Sequence, residues 1–141
     1  MSNKIPYVPG AVEHIVAHDA ITATVLIAAV KPDLVAGAKA IAISLTEGGT
    51  VNNRSGVLTV FVSVDGGVTY HATNMLIDNA ANTNAQNLTR VASKTRAAAG
   101  TDLLFLDPIV AETITHIKTV LAITDTDSPT GNFTVDISVK Y

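Results

Sequence analysis

One stretch, Gly56 to His71 (GVLTVFVSVDGGVTYH), constrains this chain more than any other, because it writes a β-hairpin and leaves no room for catalytic chemistry. Leu58, Val60, Val62 and Val64 are apolar while Thr59 and Ser63 interrupt the other face, the period of two expected of a strand. Asp65-Gly66-Gly67 follows and supplies residues that tolerate the positive φ of a tight turn. The strand is expected to resume at Val68-Thr69-Tyr70. An all-β fold is the first consequence.

Within that hairpin, Ser63, Asp65, Gly67, Thr69 and Tyr70 match the spacing Ser-x-Asp-x-Gly-x-Thr-aromatic and so resemble the Asp-box. The resemblance implies a structural turn motif, with the carboxylate and hydroxyls bonded to the turn backbone and the ring closing the hairpin over the core. Propellers repeat such a box once per blade. This chain has one copy and no blade-sized repeat, which argues against a propeller.

The 141 residues suit one domain, and no uninterrupted apolar run reaches the roughly 18 residues of a membrane helix. The N-terminal sequence MSNKIPYVPG lacks the apolar stretch of a signal peptide, so secretion by that route is not expected, and with no cysteine in the chain, production in a reducing cytoplasm is. No cysteine is present, which removes disulfides, thiol catalysis and thiolate zinc sites together. A net charge of −3 disfavours nucleic-acid binding. Arg90, Lys94 and Arg96 form the densest cationic group, with no aromatic residue between them. They read as a solvated face or as a contact for an acidic partner surface.

Pro6 and Pro9 flank Tyr7-Val8 in a segment ill-suited to a sheet ladder, so residues 1–10 are expected to be an extended N-terminal arm and 11–141 a single β-sandwich domain. Short and long strands are expected over 12–16 and 21–30, with a turn from Lys31 to Gly37. Ala38 to Leu45 sets Ile41, Ile43 and Leu45 on one side and the small residues Ala40, Ala42 and Ser44 on the other, which permits close packing. Glu47 to Ser55 reads as a loop. Ala85, Leu88, Val91, Thr95 and Ala98 have the spacing of one short helix ending at Gly100, although Thr89-Arg90-Val91 keeps a strand open. Leu103 to Leu106 is a strand ended by Asp107-Pro108, and Ile114 to Thr124 another, with Ile117, Leu121 and Ile123 on one face.

Phe133, Val135, Ile137, Val139 and Tyr141 alternate without error with Thr134, Asp136, Ser138 and Lys140. Behind the turn-rich DTDSPTGN this strand is expected to pair antiparallel with 117–124 and to hold the chain end in the sheet. The sum is an antiparallel β-sandwich, jelly-roll or immunoglobulin-like.

Candidate chemistry is thin. His14 and His18 are four apart, but β-branched neighbours oppose a helix, and on a strand they would stand about 13 Å apart, too far for one ion. His71 and His116 read as surface or edge residues. Ser63 and Ser93 lack the nucleophile-elbow sequence, and Asp125 and Asp127 lack the glycine and glutamate of a calcium loop. No catalytic, metal or cofactor residues are therefore assigned.

The proline-bearing arm, the Ala/Val/Thr-rich β-pattern, the absence of cysteine and the uninterrupted last strand together resemble the small structural proteins of tailed-phage virions, especially capsid decoration or cement proteins. The resemblance implies a non-enzymatic virion protein that binds the major capsid protein or other virion subunits, self-associates, with a trimer favoured, and uses neither membrane nor nucleic acid. It would make Ile5, Pro6, Tyr7 and Val8 the docking arm and Arg90, Lys94 and Arg96 an electrostatic contact. A tail or neck component would read much the same. A carbohydrate-binding sandwich is the rival, with three Tyr, three Phe and no Trp available for stacking on sugars.

Overall fold

The computed structural model describes residues 12–21, 25–27, 32–48, 54–78, 88–125 and 132–141. Two antiparallel sheets pack face to face, as expected for an all-β sandwich. Sheet A has six strands in the order β1 (Val12–Ile21), β12 (Phe133–Lys140), β4 (Ala40–Glu47), β10 (Gly100–Phe105), β7 (Met75–Asp78) and β8 (Leu88–Val91). Sheet B runs β2 (Val25–Ile27), β11 (His116–Asp125), β5 (Arg54–Ser63) and β6 (His71–Thr73). Two short strands complete its edges, β3 (Asp33–Leu34) on β11 and β9 (Lys94–Arg96) on β5.

The period-two pattern chooses the faces. Ile41, Ile43 and Leu45 of β4 and Val135, Ile137 and Val139 of β12 are buried, and meet Leu58 and Val60 of β5 and Ile117, Leu121 and Ile123 of β11. Each large apolar side chain so buried contributes about 1.5–3 kcal/mol, which is why one-sided alternation specifies this core. Tyr141, the last residue, is buried.

Several expectations are corrected. β11 and β12 do not pair: β11 lies along β5 from His116 opposite Ser63 to Asp125 opposite Arg54, while β12 sits between β1 and β4 in the other sheet. Alternation fixes which face turns inward and says nothing about the neighbour, and the ten-residue β5 matches the length of β11 better than the eight-residue β12 does. The strand expected over 21–30 is divided, because β1 runs through Ile21 in sheet A and β2 begins at Val25 in sheet B. The strand expected over 12–16 is the first half of this longer β1. The supposed loop from Glu47 to Ser55 is shorter, since Glu47 closes β4 and Arg54 opens β5.

No helix forms across 88–98, where β8 and β9 pair with β7 and β5; Thr89, Val91 and Thr95 favour strands once neighbouring edges are available. The helix of the described residues is α1 (Pro108–Thr113), directly after the expected strand stop. Asp107 is its N-cap, accepting from Ile109 N at 3.1 Å, and Pro108 takes the first-turn place where no N–H is needed. The arm at 1–10 and the segments 79–87 and 126–131 lie outside the described residues.

Candidate functional site

The turn motif forms as its spacing implies. Gly66 and Gly67 adopt φ of 77° and 87°. The Asp65 carboxylate accepts from Ser63 Oγ (2.7 Å), Val68 N (3.2 Å), Thr69 N (2.9 Å) and the Thr69 hydroxyl, while Ser63 Oγ accepts from Gly67 N at 3.0 Å. Those donors, the Thr69 hydroxyl foremost, hold the Asp65 carboxyl well below the usual carboxylate range. Capturing the Val68 and Thr69 amides takes them out of the ladder, so the partner strand resumes at His71, with His71 opposite Val62, and not at Val68 as expected. Thr115 ties the turn to β11 by donating from its amide to Ser63 O at 2.8 Å and accepting from Gly66 N at 3.0 Å.

Tyr70 is half-buried and its ring lies under the Lys118 ammonium, 4.3 Å from the centroid, with the Phe61 ring 5.6 Å from the same cation. It thus closes the hairpin against a cation on β11 rather than capping the apolar core. Burial, then the charges of Asp65 and Asp33, push the Tyr70 phenol upward.

The cations of 90–96 come together with acids. Arg90 meets Asp107 at 3.0 Å, which holds the Asp107 carboxyl below its ordinary range. Arg96 reaches Asp102 at 3.0 Å and donates to Ala99 O at 2.9 Å, while Lys94 stands 3.9 Å from Asp102. Because β9 belongs to sheet B and β10 to sheet A, the Arg96–Asp102 pair clasps the two sheets.

His14 contacts Asp136 at 3.4 Å. A register shift between Val16 and His18 sets His14 opposite Ser138 and His18 opposite Val135 in the backbone pairing of β1 with β12. His116 Nδ1 lies 3.0 Å from Thr115 Oγ1, and His71 and Ser93 are exposed. Among the described residues no group of three or more His, Cys, Asp or Glu is placed to hold a metal ion.

What spacing did not reveal is the outer face of sheet A. His14, Ser138, Ala42, Phe105, Leu76 and Arg90 form one row across all six strands. Its middle is apolar, and beside it a groove of about 380 Å³ is bounded by Val12, Ala40, Ala42, Leu76, Leu88 and Phe105. Ala40 and Ala42 line it, and their small side chains leave the space open. Val12, Val16, Leu88 and Leu103 add exposed apolar surface, Val12 reaching 67 % exposure. A smaller cavity of about 340 Å³ lies between β6 and α1, lined by Val62, His71, Ile109 and Ile114 among others. The signal for the groove was the run of small residues opposite Ile41, Ile43 and Leu45.

Comparison with models of known protein families, with curated proteins and with solved structures found no match.

Proposed function

We propose that this chain is a non-enzymatic virion structural protein, a decoration protein that binds and stabilises the head of a tailed phage. The observation that carries the reading is the outer face of sheet A, which exposes Val12, Val16, Leu88 and Leu103 around an apolar groove. A sandwich already has a complete core between its sheets, so a second apolar face is surface kept for another protein. The low content of charged residues, 15 %, and the resemblance to small phage structural proteins support the same reading. A sugar-binding role has weaker support: Phe61 and Tyr70 face Lys118, Phe133 and Tyr141 are buried, and Phe105 is the ring of the described residues that lines the groove.

The test is to purify particles of the virus that encodes the chain, separate heads from tails, and quantify the protein in each fraction by mass spectrometry. Many copies in the head fraction are expected. Recovery with tails would assign a tail or neck component, and absence from both would overturn the virion reading.

A further inference from the structure

Two acids near the groove on sheet A are already matched: Asp136 lies 3.4 Å from His14, and Asp107 holds Arg90 at 3.0 Å while capping α1. Lys140 is different. It lines the groove, is exposed, and among the described residues has no ion-pair partner. No acid lines the groove among the described residues, and apart from Lys140 and Ser138 every lining side chain is apolar. Ser138 stands on the same face of β12 as Lys140, about 7 Å away by the strand rise. We propose that this groove is a binding site for one fatty-acid anion, with its carboxylate at Lys140 and Ser138 and its acyl chain laid over Ala40 and Ala42 toward Phe105, Leu76 and Leu88. The inference goes beyond the assembly reading and does not rest on it.

The sheet itself favours an acyl chain over a peptide. Ala42 is paired with Ser138 on one side and Phe105 on the other, and Ser138 in turn pairs with His14, so the backbone groups beneath the groove are committed to their own ladders. A peptide laid there would bury its amides with nothing to bond them, whereas an acyl chain has none to satisfy. Size agrees. The volume of about 380 Å³ falls within the range of small-ligand sites, roughly 300–1,000 Å³. From Lys140 on β12 to Leu88 on β8 is four strand spacings, about 19 Å. An extended chain advances roughly 1.3 Å for each C–C bond of about 1.5 Å, so about 15 carbons reach from one to the other. A cation at one end of an apolar channel also sets the direction of the ligand, carboxylate at the wet rim in a charge-assisted contact and methyl end toward Leu88.

The test titrates the purified full chain, stripped of co-purified lipid on an apolar resin, with potassium laurate below its micellar concentration, and in parallel with methyl laurate and with anionic phospholipid vesicles. Calorimetry is expected to show saturable binding of one laurate per chain, at least about fivefold tighter than the methyl ester. Lys140→Gln should bring laurate down to the affinity of the ester and leave the ester unchanged. Ala42→Phe, which fills the channel, should abolish binding of both while the β-spectrum stays the same. If that variant does not fold, Ala40→Val takes its place with the same expectation of weakened binding. Absence of saturable binding, equal affinity for acid and ester, or binding that the folded variants leave intact overturns the proposal. A response to vesicles alone also overturns it and assigns a membrane-surface contact instead. None of these outcomes bears on the virion reading, which is decided on separated heads and tails.

Discussion

The Phe133 ring of β12 lies directly over the bare α-carbon of Gly56 on β5, so close that a Cβ on Gly56 would stand 2.6 Å from Phe133 Cε1. The two sheets touch here through backbone and ring, and both residues are fully or nearly fully buried. Gly56→Ala must push the ring or the sheet aside and is expected to cost about 1–3 kcal/mol. Phe133→Leu in the Gly56→Ala background should recover part of that loss, so that chemical denaturation of the four proteins yields a non-additive cycle. Additive costs would mean that the ring is free to move.

Asp65 makes stability depend on acid. Its carboxyl is held low by Thr69 and Ser63, and that of Asp107 by Arg90, so each favours the folded state while ionised. The unfolded chain then takes up protons first, and stability should be full above the unfolded value near pH 4 and fall progressively as the pH drops below it. Thermal melts from pH 7 to pH 2 should show this decline. Asp65→Asn should lower Tm at pH 7 and flatten the decline, leaving the part due to Asp107. An unaltered profile would remove the turn carboxylate from the account.

Arg96→Ala deletes the clasp between β9 and β10 and leaves Asp102 with Lys94 at 3.9 Å. Both partners are mainly but not wholly buried, so a loss of about 1 kcal/mol is expected, concentrated locally. Hydrogen exchange should accelerate across 94–105 more than across β4 and β12. A uniform change over all strands would show that the pair does not act at that edge.

Ala42 sits in the middle of the groove row, between Ser138 and Phe105. Ala42→Glu places a charge on a face that needs no core rearrangement to hold it. Tm is expected to change by only a few degrees while self-association weakens at least about tenfold, or 1.4 kcal/mol, because the charge would have to be desolvated on docking. Sedimentation across a concentration series measures this, and unchanged association would move the interface away from sheet A.

The strands that carry the core were legible because each has one wet side: Ile41, Ile43 and Leu45, and the run from Phe133 to Val139, alternate as burial requires. The Asp65 turn was legible because its bonds are local. Pairing was not, since the same alternation fits β11 beside β12 or across from it. Asp107-Pro108 carried two signals, a strand stop and a helix start, and the helix was realised because the N-cap bond to Ile109 follows from the same two residues. Leu88, Val91 and Thr95 have helical spacing by coincidence, and tertiary pairing with β5 and β7 overrides it. The groove escaped notice because Ala40 and Ala42 read as an invitation to close packing, and only the sheet order shows that the described residues place no layer over them.

The central claim, that this sandwich decorates and strengthens a phage head, is tested most directly by adding the purified protein to particles assembled without it and measuring bound copies against heat resistance. Saturable binding at a fixed ratio to the capsid subunit, with recovery of the resistance lost in the bare particles, is the predicted result. Failure to bind bare heads, or heads that never assemble in its absence, would contradict it.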